Sequence, residues 1–312
     1  MIAVFDAGLA LLILGLAVWT VLARDTFAAI VGFVAYGLLL ALVWVRLRGI
    51  DIALTEAALG TGLTGAMLIG AARRLRATEA AARQQHARIA IRALAALLAA
   101  SVSVALAAAV LALPDPAPTL AHETASNMAA TGVGNPITAV LLAFRSMDTL
   151  LEAVVMLFAL IGVWSLAPDT LWGGRPGPRH RVDPDGILAY LARLLPPIGI
   201  IVGTYIFWIG ADLPGGKFQG ATLLAAMWLL AVMSGLGDTP RTGGTGLRAA
   251  LVAGPMIFIA VGVYGAAAAG AFLGYPEGQA KLLIKLIEWA LFPSLALTLA
   301  LIVAGAPQRS AD

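Results

Sequence analysis

The residues of this chain that can do chemistry are ionisable side chains inside long apolar runs. The first cluster lies in GIDIALTEAALGTGLTG, at 49–65. Asp51 opens this stretch, Glu56 lies about a turn and a half deeper, and closely spaced glycines follow. Such glycines weaken a helix and permit a local π-bulge or a close backbone approach. Glu56, with the threonines around it, is suited to handling protons or cations. The alternatives are that Asp51 caps the helix and that Glu56 pairs with a neighbouring subunit.

A second cluster lies in NPITAVLLAFRSMDTLLEAVVMLFALIGVW. Arg145, Asp148 and Glu152 are spaced at i, i+3 and i+7, so they share one helix face. Arg145 neutralises one of the two acids and leaves the other, and an unpaired buried carboxylate tends to take up a proton. The deeper Glu152 is the better candidate for a relay. The alternative is a structural ion pair that locks this helix to a partner.

Two further clusters complete the set of candidates. In GADLPGGKFQGATLLAAM, Asp212 and Lys217 flank the PGG turn. We expect Lys217 to snorkel to the outer interface; otherwise it pairs with Asp212 or lines the mouth of an ion path. In GQAKLLIKLIEWALFPS, the residues Lys281, Lys285 and Glu288 share one helix face. Lys281 is expected at the interface, and the deeper Lys285 and Glu288 as a buried pair with a role in a path.

The elements that position these charges are predicted to be transmembrane helices. Of the 312 residues 61% are hydrophobic and 12% are charged, against roughly 25% charged in soluble domains. Several apolar runs reach about 20 residues, enough to cross a hydrocarbon core of ~30 Å, and they are too long for barrel strands. The sequence therefore predicts an all-α integral membrane protein of about nine transmembrane helices. The runs are 2–23, 27–45, 50–72, 91–113, 136–166, 187–209, 217–236, 247–272 and 279–305. The fifth is long enough to be an amphipathic lead-in followed by a span.

The orientation is predicted from the charges of the connections. Arginines cluster in 73–92 and 167–190, whereas the opposite connections are acidic and only Arg46 and Arg48 oppose the trend. The acidic connections are 114–135, 210–216 and 273–278. The positive-inside rule then places the N-terminus outside and the C-terminus in the cytoplasm of a multi-pass protein of the cell inner (cytoplasmic) membrane. The first run lacks a basic n-region and an A-x-A site, so it is predicted to be a retained helix.

Composition also excludes several classes of site. The chain has no cysteine, which excludes disulfides, thiolate-bound clusters and a Cys nucleophile within it. His86, His122 and His180 lie in polar connections without metal-ligand spacing, so neither a metal nor a cofactor is predicted. No Walker loop, GxSxG or HExxH occurs, and no enzyme reaction is assigned. The net charge of +3 resides in loops between apolar runs, which indicates membrane topology rather than nucleic-acid binding.

The long polar connections divide the chain into three blocks, and each resembles a known subunit. The block 1–75 resembles the C-terminal end of the large Mrp A subunit, or an MbhD-type subunit, through DIALTEAALGTGL. The block 88–168 resembles an MbhE-type segment through NPITAVLLAFRSMDTLLEAVVMLFALIGVW. The four-helix block 186–306 is similar to Mrp B (MnhB or MbhF type) through GADLPGGKFQGATLLAA. The families are the multi-subunit Mrp-type cation/proton antiporters and the membrane arms of energy-converting hydrogenases.

The resemblance implies a non-catalytic membrane subunit of an Mrp-like or complex I-like complex that exchanges Na⁺ or another cation for H⁺. Its partners are then the other subunits and the lipid bilayer. Asp51, Glu56, Asp148 and Glu152 occupy acidic positions like those of the family.

One departure from the family concerns the path. The usual PGGGFQGG is PGGKFQGA here, with Lys217 and Ala221 in place of glycines. A cation at this position repels Na⁺, which puts a standard sodium path in question and favours a branch that moves only protons.

Two other functions fit the same residues. One is the ion-translocating membrane arm of a redox-driven complex such as an energy-converting hydrogenase, with the redox centres in other chains. The other is a structural bridge without an ion path. A stand-alone transporter fits less well, because the chain has no obvious inverted repeat around a midplane site.

Overall fold

The computed structural model describes residues 2–84, 89–116, 118–178, 183 and 185–310. Within this part, eight helices are long and apolar enough to cross a membrane, and a ninth span results if one helix pair bent by 90° is counted as one. This agrees with the predicted all-α membrane protein of about nine helices.

The elements follow one another as a series of helices with one small sheet. The helices of the first two blocks are α1 (Ile2–Leu22), α2 (Thr26–Arg46), α3 (Ile50–Thr55), π1 (Glu56–Leu63), α4 (Thr64–Gln84), α5 (Ile89–Leu111), α6 (Ala121–Thr131), α7 (Pro136–Ala139), π2 (Val140–Phe144) and α8 (Ser146–Trp164). The helices of the third block are α9 (Ile187–Ile209), α10 (Lys217–Met233), α11 (Thr245–Ala269) and α12 (Ala280–Ala304), and a 3₁₀ turn (Asp169–Leu171) precedes them. Two short strands, β1 (Arg175–Pro176) and β2 (Pro307–Arg309), pair antiparallel.

The third block supplies most of the core. α12 packs on α10 and α11, α10 packs on α9, and α8 covers α11 and α12. Ile284, Ile287 and Leu291 of α12 are fully buried against this bundle. Gly220 lets α10 approach α9 closely, because a Cβ at this position would lie 2.5 Å from the carbonyl oxygen of Gly203. The hydrophobic effect does not drive helices together in lipid, so helix association depends on close packing, which small residues at the crossing allow.

The glycine-rich stretch of the first block forms a π-helix, one of the two possibilities that its sequence leaves open. π1 interrupts a continuous helix between α3 and α4. The hydroxyl of Thr64 donates to the carbonyl of Leu59, five residues back, at 3.0 Å. Gly60 and Gly62 lower the cost of this wider turn, because they tolerate backbone geometry that larger residues resist.

Two predicted connections differ from the structure. The connection 114–135 was expected as a loop, but it contains α6, which ends at Gly132 in the left-handed conformation (φ 69°). The connection 167–186 was expected as a linker, but its described residues include the 3₁₀ turn and β1. His86 and His180 lie outside the described residues.

The fifth apolar run breaks as expected into a lead-in and a span. π2 continues α7 and ends at Phe144. The backbone of the next residue, Arg145 (φ −132°, ψ 38°), is not helical, and α8 begins at Ser146. The run predicted at 217–236 forms the 17-residue α10.

Contacts between the connections define two faces of the molecule. On one face, an ion pair of 2.9 Å joins Asp6 near the start of α1 to Arg46 at the end of α2. Arg46, which opposes the predicted charge bias of the connections, thus has a partner on its own face. On the opposite face, β2 pairs with β1. This grouping matches the predicted alternation of the helices, and the assignment of the second face to the cytoplasm stays a prediction.

The C-terminal clasp, formed by β1, β2, Asp238 and Thr239, holds this second face together. The Arg309 guanidinium donates to the Asp238 carboxylate at 2.7 Å and to the Thr239 hydroxyl at 2.8 Å. Arg175 donates to the carbonyl of Thr239, and the buried Thr239 hydroxyl donates to the carbonyl of Pro176 at 2.8 Å. The clasp therefore ties the C-terminus to two connections.

We expect the clasp to loosen in an Asp238→Asn variant and at low pH. The Arg309 hydrogen bond holds the pKa of Asp238 below its ordinary value. The ionised Asp238 carboxylate therefore stabilises the clasp at neutral pH. This stabilisation is lost as the pH falls below about 4 and passes through the lowered pKa of Asp238, because the carboxylate becomes protonated. An ion pair with a half-exposed carboxylate contributes little to stability. In Asp238→Asn, cleavage of the connection 167–186 by a protease should therefore be faster than in the wild type by at most about fivefold. Asp169→Asn is the control, since Asp169 is exposed and has no ion pair among the described residues. Equal cleavage of both variants would contradict this role.

Candidate ion and proton path

The three blocks meet at a buried carboxylate. Asp51, which is 7% exposed, accepts hydrogen bonds through Oδ1 from Nδ2 of Asn135 at 3.1 Å and from the backbone N–H of Gly215 at 2.9 Å. Nδ2 of Asn135 also donates to the carbonyls of Gly210 and Leu213. We call Asp51, Asn135 and the 210–215 backbone the Asp51 junction.

Local sequence explains why these groups meet. Asn135 caps α7, because its Oδ1 accepts from the N–H of Ile137 at 2.9 Å, and Pro136 fits the first helical position. Gly215 and Gly216 have φ of 150° and 148°, which glycine adopts most easily, and this turn directs the Gly215 N–H at Asp51. The alternative that Asp51 caps its own helix is wrong, because the N-cap position is Gly49.

A cavity of about 370 Å³ lies beside the junction and carries four charged groups on its wall. α3, α8, α10 and α12 each contribute one ionisable residue. These residues are Asp51, Glu152, Lys217 and Glu288. Thr55 and Gln219 add polar groups, and Nε2 of Gln219 donates to the hydroxyl of Thr55 at 2.9 Å. We call this space the charged cavity.

Lys217 is buried, so the expected snorkelling is wrong. Lys217 is 4% exposed, and its Nζ lies 5.4 Å from the centre of the Phe218 ring. No carboxylate of the described chain lies within ion-pair distance of Nζ, and Glu152 and Glu288 act on it from farther away. A buried ammonium needs polar partners, and a cavity of this size with several polar side chains on its wall has room for water to provide them.

The charges continue past Lys217 along α12. Glu288, 4% exposed, lines both the charged cavity and a small cavity of about 40 Å³ that Lys285 also lines. Nζ of Lys285 lies 5.6 Å from the centre of the Trp208 ring. The expected tight pair between Lys285 and Glu288 does not form, since no ion pair joins them in the described structure, although both Lys285 and Lys217 act on the charge of Glu288. Glu152, Lys217, Glu288 and Lys285, of alternating sign, form what we call the charge row.

The row ends near an ion pair on the face that carries the Asp51 junction, opposite the clasp, which we call the Asp51 face. Lys281 Nζ contacts Asp212 Oδ1 at 3.0 Å, and the N–H of Gly134 donates to the same oxygen at 3.0 Å. Lys281 holds the pKa of Asp212 below its ordinary value, with a smaller contribution from Lys285. Asp212 therefore pairs with Lys281 and not with Lys217.

Three predicted site residues lie away from the row. Arg145 and Asp148 form an ion pair with each other on the exposed side of α8, so Glu152 is the acid that remains. Glu56 lies on the opposite face of its helix from the charged cavity, where a Cβ at Gly37 of α2 would come within 3.2 Å of its Oε1. Within the described chain, Glu56 has no hydrogen bond or ion pair.

The comparisons with known families assign two of the three blocks. Residues 11–77 match the MbhD family of MBH subunits. Residues 187–307 match the family described as a domain related to the MnhB subunit of a Na⁺/H⁺ antiporter. The chain is an Mrp/Mbh-type subunit fusion. The MbhE-type assignment of 88–168 and the block boundaries stay predictions.

Solved structures show the same fold over the fusion. A chain of the Mrp complex from Dietzia sp. aligns with 97% of the fusion at a TM-score of 0.71 and 22% identity. A chain of the membrane-bound sulfane sulfur reductase, an archaeal respiratory membrane complex, aligns with 69% of the fusion at a TM-score of 0.53 and 23% identity. The fusion covers 35% of the former chain and 97% of the latter. No curated protein sequence matches the fusion. It is a multi-pass membrane protein with the fold of an Mrp-complex chain.

We expect Asp51 to act through its hydrogen bonds rather than its charge. An Asp51→Asn variant keeps an acceptor oxygen for Asn135 and Gly215, whereas Asp51→Ala leaves both buried donors unpaired at a cost of about 1–3 kcal/mol each. Thermal unfolding of the detergent-solubilised protein should therefore start at a clearly lower temperature for Asp51→Ala and close to wild type for Asp51→Asn. Cation/proton exchange that fails in Asp51→Asn at wild-type stability would show instead that its charge is needed.

Proposed function

We propose that the fusion is a membrane subunit of a multi-subunit Mrp-type cation/proton antiporter complex, and that its charge row carries protons through it. The observation that carries this proposal is Lys217, buried between Glu152 and Glu288 without a tight ion pair in the described chain. The family matches of the first and third blocks support the complex.

The row has the properties that proton transfer requires. Ionisable groups inside a membrane span are costly and commonly mark proton relays. An ammonium and a carboxylate that share a wet cavity without direct contact can exchange protons through water, whereas a tight pair fixes the charges. When Lys217 gives up its proton, Glu152 and Glu288 lose a positive neighbour, so protonation of either becomes easier. The alternation of charge thus couples successive steps.

The same geometry argues against Na⁺ in the charged cavity. A Lys217 ammonium on the wall repels a cation, and its positive charge also acts on the two nearest acids, Glu152 and Glu288. We infer that this fusion conducts protons through the row and that Na⁺ passes elsewhere in the complex. Glu56, the first residue of π1, has no hydrogen bond or ion pair in the described chain and lies apart from the row. It is the candidate of this chain for a second path.

Partner subunits are supported by what the chain leaves uncovered. α5 has no buried residue, and the Arg145–Asp148 pair is exposed on α8. We infer that these surfaces contact other subunits. No reaction is assigned to the chain, and redox chemistry, where the complex has any, belongs to its partners.

We expect Glu288→Gln and Lys217→Met to lower proton uptake at least tenfold in vesicles that contain the assembled complex. Each removes one titratable group of the row while keeping its approximate volume. Glu277→Gln is the matched control, because Glu277 is exposed in a connection and should leave uptake unchanged. Uptake at the wild-type rate in both row variants, with normal complex assembly, would support a structural bridge.

The redox-driven membrane arm is the second candidate, and the MbhD match together with the sulfane sulfur reductase fold favours it. Gentle purification of the native complex followed by mass spectrometry of all subunits separates the two. We expect antiporter-type membrane subunits without iron–sulfur proteins. Stoichiometric iron–sulfur subunits would assign the fusion to a redox-driven pump, and a chain that purifies alone would exclude a complex.

A further inference from the structure

The first block is joined to the rest of the protein at one end and separated from it at the other. On the Asp51 face, Asp51 is hydrogen-bonded to the second and third blocks. Toward the clasp, α4 packs mainly on α2 and π1 of its own block. The gap contains an apolar groove of about 400 Å³ and a cavity of about 690 Å³. These volumes lie in the range of ligand sites, roughly 300–1,000 Å³.

The groove and the cavity are direct neighbours. Ala66 of α4 and Val303 of α12 line both. The groove walls are almost entirely apolar and come from π1, α9 and α10, with Ala58, Ile206 and Leu223 among them. We call the combined space the interblock groove.

The open end of the interblock groove carries one charge. Arg74 is the only ionisable residue on the wall of the larger cavity, it is exposed, and it forms no ion pair with a described residue. The distance along the helix from Ala58 to Arg74 is roughly 24 Å at the usual rise per residue. Half of a bilayer including its headgroup region measures roughly 20–23 Å.

We propose that the interblock groove binds one anionic phospholipid, with its phosphate at Arg74 and an acyl chain between the first and third blocks. The Arg74 guanidinium, which has no ion pair with a described residue, complements a phosphate, and the apolar groove of one leaflet's length complements an acyl chain. Basic pockets between transmembrane helices bind anionic headgroups. Gln219 lines both the groove and the charged cavity. The acyl chain therefore also separates the charge row from the surrounding membrane.

A phospholipid fits this space better than a helix of a partner subunit. A transmembrane helix needs about 30 Å of free length and a diameter of ~10 Å, but the first and third blocks are hydrogen-bonded at Asp51, three residues before the groove residue Leu54. Water alone is disfavoured, because the groove offers it few polar partners.

Photolabelling tests the proposal on the full-length protein in its purified complex. The probe is a phosphatidylglycerol with a diazirine near the end of one acyl chain, and labelled positions are mapped by mass spectrometry. We expect labels within 54–66 or 219–229, displaced by excess phosphatidylglycerol and not by phosphatidylcholine. Arg74→Gln should lower this labelling by about fivefold to tenfold, and Ala66→Trp, which fills the space where both cavities meet, should abolish it.

Arg73→Gln is the matched control, since Arg73 is the neighbouring exposed arginine of α4 and lines neither cavity. It should label like the wild type. Equal loss in Arg73→Gln and Arg74→Gln would mean a general effect of surface charge, and labelling that none of the variants changes would mean ordinary annular lipid; each overturns the proposal. So would crosslinks from the groove residues to a helix of a copurified subunit.

Discussion

The buried carboxylate of Asp51 is the constraint on which the rest of the site depends. Its Oδ1 holds donors from two other blocks, in a setting where an unpaired backbone group costs several kcal/mol. Because the Gly215 N–H must point at this oxygen, the PGG turn takes a conformation open chiefly to glycine. α10 then begins immediately beneath the junction, and its first residue, Lys217, is turned into the protein. The position of the lysine thus follows from a hydrogen bond to another block.

The sequence was sufficient for most of the fold and for the list of charged residues. Long apolar runs located the spans, and the glycines after Glu56 left open a π-bulge or a close backbone approach, of which a π-helix forms there. The spans could be predicted because every backbone N–H and C=O must be hydrogen-bonded in lipid, and helices are one of the few structures that achieve this. α6 was missed because AHETASNMAAT is polar and short, and such segments read equally well as loops.

Which charges meet could not be predicted, because packing between blocks decides it. Asp148 and Glu152 share a helix face and are both exposed, yet Asp148 pairs with Arg145 while Glu152 lines the charged cavity. Asp212 has a lysine five residues away and pairs instead with Lys281. Asn135 went unnoticed as well. The Asn135–Pro136 pair predicts the start of a helix, but the neighbouring sequence does not indicate that Nδ2 of Asn135 contacts Asp51, which lies 84 residues earlier in the chain.

The distribution of ion pairs separates structural charges from those of the row. Every tight ion pair in the described chain is at least partly exposed, as with Asp6–Arg46, Asp212–Lys281 and Arg145–Asp148. The buried charges show the opposite arrangement, since Lys217 and Glu288 face one cavity without direct contact. A buried pair kept only for stability would close to contact, because desolvation is otherwise uncompensated. Charges held apart around a cavity with room for water can keep their protons exchangeable. This is the arrangement that the proposed relay requires and that a structural bridge does not.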